Sequence, residues 1–455
     1  MSNVVNQRSR KFTLIIIDLC LIIIAYIFAF HIRYDNIHPR NWDAFISLLP
    51  WILLIGLFFI TMYELYSLDQ KSKWDVIRKV IVSSTLMMFL TMAASFLFRE
   101  FALPRSVILI SYIIINIFLI SWKLVFIILL SRKLGTVLVI GDNQEHQKIA
   151  RQIDTQFGKK TIVKFISSKE LEERILHELQ FVDYVMMGSK ISNDLKAKII
   201  YDSIKNGKIV YVVPDLYELL LSQAVITSID DSMVMAVKPF GLSWSQQVAK
   251  RLYDIVISLV GLVILSPLFL LVGLIIKMED PKGSVFYKQP RLGKYNKEFI
   301  IYKFRSMVEG AEKITGPVLA GENDPRITKT GHFIRKTRID ELPQLLNVLK
   351  GDMSIVGPRP EREFFTKQFE KDLSSYVYRS TVKPGITGYA QIMGKYTTSV
   401  DDKLRFDLFY IRNYSFVLDM IIQFRTIIVL FDKTKSEGRV ESEKLEPKND
   451  RSLNY

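Results

Sequence analysis

The stretch KRLYDIVISLVGLVILSPLFLLVGLIIK, running from Lys250 to Lys277, decides how the rest of the chain is arranged. Its apolar run is long enough to cross a hydrocarbon layer of ~30 Å as a helix. Two features argue against a crossing. Ser266-Pro267 sits mid-run, where proline removes a helix hydrogen bond and forces a kink. Basic residues flank both ends, Lys250 and Arg251 on one side and Lys277 on the other, which suits entry and exit on one membrane face. The reading is a kinked, re-entrant helix with these three cations at lipid headgroups; an ordinary transmembrane helix is the alternative.

The topology upstream supports the first reading. Four long apolar runs, about Phe12–Phe30, Phe45–Tyr66, Val76–Phe98 and Val107–Leu130, are each long enough to span. Arg8, Arg10 and Lys11 precede the first. Lys71, Lys73, Arg78 and Lys79 surround the second connection, and Arg132 and Lys133 follow the fourth run. The positive-inside rule places both ends of this four-helix transmembrane bundle in the cytoplasm. A fifth crossing would then put the basic block that follows on the wrong side. Asp18, inside the first run, is read as a structural partner of another polar group rather than a functional carboxylate.

Composition agrees with a membrane part joined to a soluble part. The 455 residues are 49% apolar and 24% charged, with 61 basic and 46 acidic side chains and a net charge of +15. Mean hydropathy is +0.20. Cys20 is the sole cysteine, which excludes a disulfide scaffold and multi-cysteine metal sites. The five histidines, His31, His38, His146, His177 and His332, are scattered, which argues against a histidine metal cluster or a Ser-His-Asp hydrolase. Residues 241–399 hold 24 basic and 15 acidic groups, a local +9. Beside so many apolar runs, that excess points to anionic lipid or a phosphorylated substrate rather than nucleic acid.

Residues 135–240 read as Rossmann-like α/β. Short β-rich runs at Thr136–Ile140, Thr161–Ile166, Val182–Met187 and Ile209–Val213 alternate with helical stretches, the pattern of a mostly parallel sheet. Gly141 sits where a dinucleotide turn would open, but the later glycines of G-x-G-x-x-G are absent. A structural or regulatory role is therefore expected.

Residues 280–400 carry the chemistry. In Phe299-Ile-Ile-Tyr-Lys303-Phe-Arg305, strand alternation puts Lys303 and Arg305 on one face, a candidate phosphate clamp. In Arg335-Lys-Thr-Arg338-Ile-Asp340-Glu341-Leu342-Pro343-Gln and the residues after it, Leu342, Leu345, Leu346 and Leu349 recur at helical spacing. Because proline is tolerated only in a first turn, a helix is expected to begin near Asp340. The two carboxylates then lie at the positive end of the helix, behind three basic side chains. Either they complement the dipole, or Asp340 is a nucleophile towards a phosphoryl group while Glu341 helps hold Mg²⁺ against a diphosphate. Pro358-Arg359-Pro360 holds a cation on a stiff backbone, and Lys383-Pro384-Gly385 is a turn-rich loop with another.

These motifs resemble the bacterial sugar transferase family: polyprenyl-phosphate sugar-1-phosphate transferases, phosphoglycosyl transferases with a re-entrant membrane helix. The resemblance rests on Lys250-Arg251 with Asp254, Ser266-Pro267, Lys303-Phe304-Arg305-Ser306-Met307, Asp340-Glu341-Leu342-Pro343-Gln344, Pro358-Arg359-Pro360 and Lys383-Pro384-Gly385, from about Ser245 to Asp432. The spans and the α/β segment resemble the long form, which initiates exopolysaccharide, capsule or O-antigen repeat units. The resemblance implies four parts: a four-helix transmembrane domain (1–134), a Rossmann-like domain (135–240), a mixed α/β catalytic domain with its re-entrant helix (241–433) and a polar tail (434–455). It implies transfer of sugar-1-phosphate from a UDP-sugar, UDP-glucose or UDP-galactose, to undecaprenyl phosphate, releasing UMP through a covalent phosphosugar–Asp340 intermediate. Glu341 would complete the dyad and, with Asp340, hold Mg²⁺. Arg359 would contact the nucleotide or its phosphates, and Arg291, Lys303, Arg305 and Arg338 are further candidate diphosphate ligands. The implied partners are the UDP-sugar, the lipid acceptor and the bacterial cytoplasmic membrane, with a homodimer allowed and no nucleic acid. A catalytically silent scaffold of polysaccharide assembly is the competing reading.

Overall fold

The computed structural model describes residues 2–68, 73–97, 103–130, 136–142, 162–167, 170, 172–237, 239–310, 324–395 and 398–430. The polar tail expected at 434–455, and the basic residues expected to follow the fourth run, lie outside the described residues. The chain divides into two compact units, Met1–Glu218 and Leu219–Tyr455.

The first unit opens with four long helices: α1 (Ser2–Arg33), α2 (Pro39–Met62), α3 (Lys73–Leu97) and α4 (Arg105–Leu130). α1 packs on α4 and α2, and α3 packs on α2 and α4. Their outward faces expose large apolar side chains such as Leu54, Phe89, Ile113 and Ile117. In water that arrangement would be costly; in lipid it is the stable one. The four helices, over Arg10–Arg33, Pro39–Met62, Lys73–Leu97 and Arg105–Leu129, are long and apolar enough to cross a membrane, as is Trp244–Glu279. This is a membrane protein. Asp18, fully buried in α1, meets Lys123 of α4, whose Nζ donates to both carboxylate oxygens at 3.0 and 2.7 Å and to the Leu65 carbonyl at 3.0 Å. Each buried charge thus has its counter-charge, the condition for keeping either in a lipid-embedded interior.

An α/β segment follows. Strands β1 (Thr136–Gly141), β2 (Ile162–Ser167), β3 (Tyr184–Met187) and β4 (Ile209–Val212) form one parallel sheet in the order β2-β1-β3-β4. They lie within two residues of the β-rich runs in the sequence. Helices α5 (Glu172–Leu179), α6 (Asn193–Lys205) and the short α7 (Leu216–Leu221) connect and follow them. Leu138 and Ile140 of β1 face a core with Ile175, Leu179, Val185, Met187 and Ile199, while Val137 and Val139 are buried on the opposite face. Burial on both faces explains why β1 is apolar without alternation.

The second unit begins with an antiparallel hairpin, β5 (Val225–Ile229) and β6 (Ser232–Ala236), which the sequence reading did not anticipate. Then comes α8 (Trp244–Glu279), 36 residues long, opened by a capping box between Ser243 and Gln246. Helical hydrogen bonding resumes across Pro267, and the missing N–H there is replaced: the Ser266 hydroxyl donates to the Val263 carbonyl at 2.8 Å, the acceptor that Pro267 leaves without its usual donor.

One flank of α8 is bound to the later part of the same unit, residues 285–419, along its length. Near its start, Lys250 pairs with buried Asp419, Arg251 donates to the carbonyls of Val348 (2.5 Å) and Leu349 (2.7 Å), and Asp254 accepts from the Ile355 N–H at 3.1 Å. Near its end, Val272 and Ile276 pack with Phe304 and Ile334, and Glu279 accepts from the Lys329 and Thr330 N–H groups. This corrects the expectation that Lys250 and Arg251 sit at headgroups. Lys250 is buried and Arg251 half-buried, because Asp419 and the open carbonyls of a helix end need cationic partners. Lys277 is exposed. The other flank of α8 exposes Leu252, Val256, Leu259, Val263, Ile264, Leu270, Leu271 and Leu274.

The rest of the unit is a mixed α/β shell. An antiparallel hairpin, β7 (Phe286–Leu292) and β8 (Glu298–Phe304), is followed by α9 (Lys329–Lys336) and α10 (Gln344–Lys350). The parallel pair β9 (Ser354–Val356) and β10 (Gly385–Thr387) is interrupted by α11 (Glu363–Asp372). Three helices close the unit: α12 (Tyr389–Met393), α13 (Val400–Arg412) and α14 (Phe416–Leu430). α14 buries Asp419, Ile422 and Ile428 and contacts β9, β10 and α12, which makes it part of the core.

Candidate active site

Asp340 and Glu341 lie in a single 3-10 turn, Ile339–Glu341, and α10 starts only at Gln344. This corrects the expected helix start. Pro343 occupies the N-cap instead of the first turn, so the dyad sits on the bend leading into the helix. The bend is made by Arg338, in the left-handed region at φ 58°. A non-glycine residue there is uncommon and costs about 1–3 kcal/mol. It turns the chain sharply out of α9 and points two consecutive carboxylates into the interior.

Both carboxylates are buried. Glu341 Oε1 accepts from Lys303 Nζ at 2.8 Å and from Arg359 Nη2 at 2.7 Å, and Arg338 Nη1 stands 3.8 Å from Oε2. Burial pulls Glu341 up, but Arg359, Lys303 and Arg338 together outweigh it and hold the carboxyl well below its usual range. Asp340 is different. Burial first, and then the neighbouring Glu341 charge, push it up to about 6. Its Oδ1 is buried without any hydrogen-bond partner. One acid is therefore clamped as an anion by three cations, while its neighbour keeps an uncommitted oxygen and is still mostly ionised at neutral pH.

Three devices fix this geometry; the sequence reading noted the turn-rich Lys383–Gly385 loop without its packing role and missed the other two. Asn347, fully buried in α10, accepts from the Tyr302 N–H at 3.0 Å and donates to the Ile300 carbonyl at 2.6 Å. It continues the edge of β8 with a side-chain amide and locks the dyad's helix to the strand that carries Lys303. An asparagine among leucines was the only available signal. Gly357 and Gly385 let the loop carrying Arg359 abut the Lys383–Gly385 loop. A Cβ on Gly357 would collide with the Lys383 carbonyl, and one on Gly385 with the Gly357 amide. Gly388 lies against the Gly357 carbonyl in the same way. Finally, Arg379 pairs with buried Asp407 (2.8 Å) and donates to the Arg359 carbonyl (3.0 Å).

The structure thus gathers Asp340, Glu341, Lys303, Arg338 and Arg359. It does not bring Arg305 or Arg291 to the dyad. Arg305 lies just past β8 and turns to Asp280, 2.7 Å to Oδ2. Arg291 is tied to the Pro360 carbonyl at 3.2 Å and to Gln289 at 2.8 Å, so it braces the backbone next to Arg359.

Residues 245–433 match the family described as bacterial sugar transferase. A UDP-N-acetylgalactosamine-undecaprenyl-phosphate N-acetylgalactosaminephosphotransferase of Aeromonas hydrophila is 41% identical over 221 residues, 48% of this chain and 51% of that protein. A UDP-glucose:undecaprenyl-phosphate glucose-1-phosphate transferase of Escherichia coli (strain K12) is 37% identical over 225 residues, 48% of each. The exopolysaccharide production protein PSS of Rhizobium leguminosarum bv. phaseoli is 43% identical over 189 residues, 40% of this chain and 94% of that protein. The chain belongs to the bacterial sugar transferase family. It spans about half the length of the first two relatives and nearly all of the third. The sugar transferase match begins within α8 and takes in the dyad, its three cations and the Asn347, Gly357–Gly385 and Arg379 supports.

Proposed function

We propose that this protein transfers a sugar-1-phosphate from a UDP-sugar to undecaprenyl phosphate, giving undecaprenyl-diphosphate-sugar and UMP, as the first membrane step of a polysaccharide repeat unit. The observation that carries this reading is the asymmetry of the dyad: Glu341 clamped by Lys303, Arg338 and Arg359, beside Asp340 with a buried, unpartnered Oδ1. A free carboxylate oxygen next to a cluster of cations is suited to attack on a phosphorus atom.

In the first step an Asp340 oxygen bonds to the β-phosphorus of the UDP-sugar. The bond from that phosphorus to the bridging oxygen breaks, and UMP leaves with the electron pair. The acyl phosphate so formed holds the sugar phosphate on Asp340. In the second step an oxygen of undecaprenyl phosphate bonds to the same phosphorus, and the Asp340 carboxylate is released. Arg359, Lys303 and Arg338 offset the charge that develops on the phosphoryl oxygens. Two-step transfer lets UMP depart before the second anion approaches.

Asp340 and Glu341 are consecutive carboxylates whose Oδ1 and Oε2 accept no close hydrogen bond, and this donor set fits Mg²⁺, which takes one or two carboxylates and completes its shell with phosphate oxygens and water. When bound, Mg²⁺ supplies charge neutralisation to the diphosphate. Among the described residues no group of three or more His, Cys, Asp or Glu is placed to hold a metal, so substrate oxygens would complete the site.

The membrane seating follows from α8. Lys250, Arg251 and Asp254 at one end, and Val272, Ile276 and Glu279 at the other, all bind the same catalytic half. A crossing helix would need those partners on opposite sides of the bilayer. This supports the re-entrant reading, with the catalytic half on the cytoplasmic face of the bacterial inner membrane, where the water-soluble donor and the lipid acceptor meet.

Relatives carry names that specify glucose, galactose and N-acetylgalactosamine. The test is therefore a donor panel: full-length protein in nanodiscs with undecaprenyl phosphate, Mg²⁺, and UDP-glucose, UDP-galactose or UDP-N-acetylgalactosamine. UMP release with one donor, lost in Asp340→Asn, supports the reading. UDP as the product would replace it with ordinary glycosyl transfer. Folded protein without any nucleotide product would favour the scaffold.

A further inference from the structure

The β7–β8 hairpin has two faces. Lys303 leaves β8 on one face to reach Glu341. Its neighbour Tyr302 points the other way, paired across the hairpin with Lys288. On that second face Lys288 and Lys350 both stand over the Tyr302 ring, with Nζ 5.9 and 4.4 Å from its centroid, and Lys350 also donates to the Tyr302 hydroxyl at 2.7 Å. Among the described residues neither ammonium pairs with a carboxylate; their close partners are the Tyr302 ring and hydroxyl. Two cations held together without an acid repel each other, and an anion between them would relieve that repulsion. Beside them Phe286, Leu346 and Leu349 complete a groove of about 550 Å³ whose walls are mainly apolar.

We propose that this groove holds an anionic phospholipid of the surrounding bilayer, its phosphate between Lys288 and Lys350 and the first carbons of its chains against Phe286, Leu346 and Leu349. Two observations select this occupant. The walls match a phosphate joined to apolar chains better than a soluble phosphate. And α10, which supplies Leu346, Leu349 and Lys350, packs by its other flank on α8, with Leu345 against Gly261, so the groove belongs to the same assembly as the long apolar helix. The acceptor lipid is a different matter, since its phosphate has to reach Asp340 and the groove lies on the hairpin face turned away from Lys303 and the dyad. The inference rests on the membrane-surface seating proposed above.

The test uses the full chain in nanodiscs of phosphatidylcholine, with or without phosphatidylglycerol, and follows acylation of each lysine by peptide mass spectrometry. Acylation of Lys288 and Lys350 is expected to slow by about fivefold when phosphatidylglycerol is present, with no change at the exposed Lys371. In Lys350→Gln, protection of Lys288 is expected to be lost. Equal rates in the two discs would overturn the proposal. So would protection by inorganic phosphate in phosphatidylcholine discs, which would mark a soluble-anion site, or protection by undecaprenyl phosphate alone, which would mark the acceptor site. Labelling requires no turnover, so a protein that released no UMP would still give a readable answer.

Discussion

Arg379 donates to the backbone carbonyl oxygen of Arg359 at 3.0 Å, and Arg359 in turn holds Glu341 at 2.7 Å. The buried Arg379–Asp407 pair therefore sets the position of a cation it does not itself place on the substrate. Arg379→Met leaves Asp407 buried without its counter-charge and is expected to cost about 3–5 kcal/mol. Adding Asp407→Leu should recover most of that stability. The rate of UMP release should stay about tenfold or more below wild type in the double variant, because Arg359 is no longer braced. Melting temperature and turnover measured on the same samples check this; recovery of both together would make the pair purely structural.

Asp340, pushed up to about 6 by burial and by Glu341, gives the proposed reaction an acid limb. Turnover should rise through pH 6 and level off above about 7 as Asp340, the proposed nucleophile, ionises. Stability should respond in the opposite sense. The folded protein keeps the proton up to about pH 6 while the unfolded chain loses it near 3.8, so this group's contribution falls as pH rises through that window. Asp340→Asn should therefore raise the melting temperature at pH 8 relative to wild type and change it little at pH 4. A gain at pH 4 as large as that at pH 8 would contradict the raised value.

Asn347 makes two hydrogen bonds to β8 that no aliphatic side chain can replace. Asn347→Leu fits the leucine pattern of α10 but strands the Tyr302 N–H and the Ile300 carbonyl, at about 1–3 kcal/mol for each group left unsatisfied. Turnover should fall with it, since α10 and the Lys303 strand lose their common register. Denaturation midpoint and UMP release provide the check, and a Leu variant as stable as wild type would show the amide to be dispensable.

Ser266 stands in for the donor that Pro267 lacks. Ser266→Ala should therefore cost about 1 kcal/mol in the natural background and little in Pro267→Ala, where the backbone N–H returns. Thermal unfolding of the four proteins of this cycle in one detergent measures the coupling. Equal costs in both backgrounds would mean the hydroxyl bond has no bearing on the proline.

The helices and strands were legible where apolar length or β-rich composition marks them: the four long apolar runs, and the short runs of the parallel sheet. The candidate site was legible in its residue types. Acids next to each other behind several cations are rare enough to be noticed, and Asp340, Glu341, Lys303, Arg338 and Arg359 do converge. What spacing could not supply was the direction of each cation. Lys303 and Arg305 share a strand face in the sequence, yet Arg305 lies past the strand end and its partner is Asp280, 25 residues upstream. Lys250 and Arg251 look like headgroup anchors until Asp419 and the end of α10 are folded against them. The expected helix start failed because the left-handed Arg338 inserts a separate turn ahead of Pro343, and side-chain patterning does not report backbone sign.

The contact of Gly357 with Gly385, and of Gly388 with Gly357, has a consequence for redesign. Any substitution at these positions adds at least one carbon where opposing backbone already stands. Retuning the proposed donor preference therefore has no latitude at the glycines that seat the Arg359 loop. Variation has to enter where a turn is open to solvent, as at Tyr295 between β7 and β8. A library that randomised the glycine keyway would mostly sample unfolded protein, whereas one confined to the outer turns would leave these backbone contacts in place.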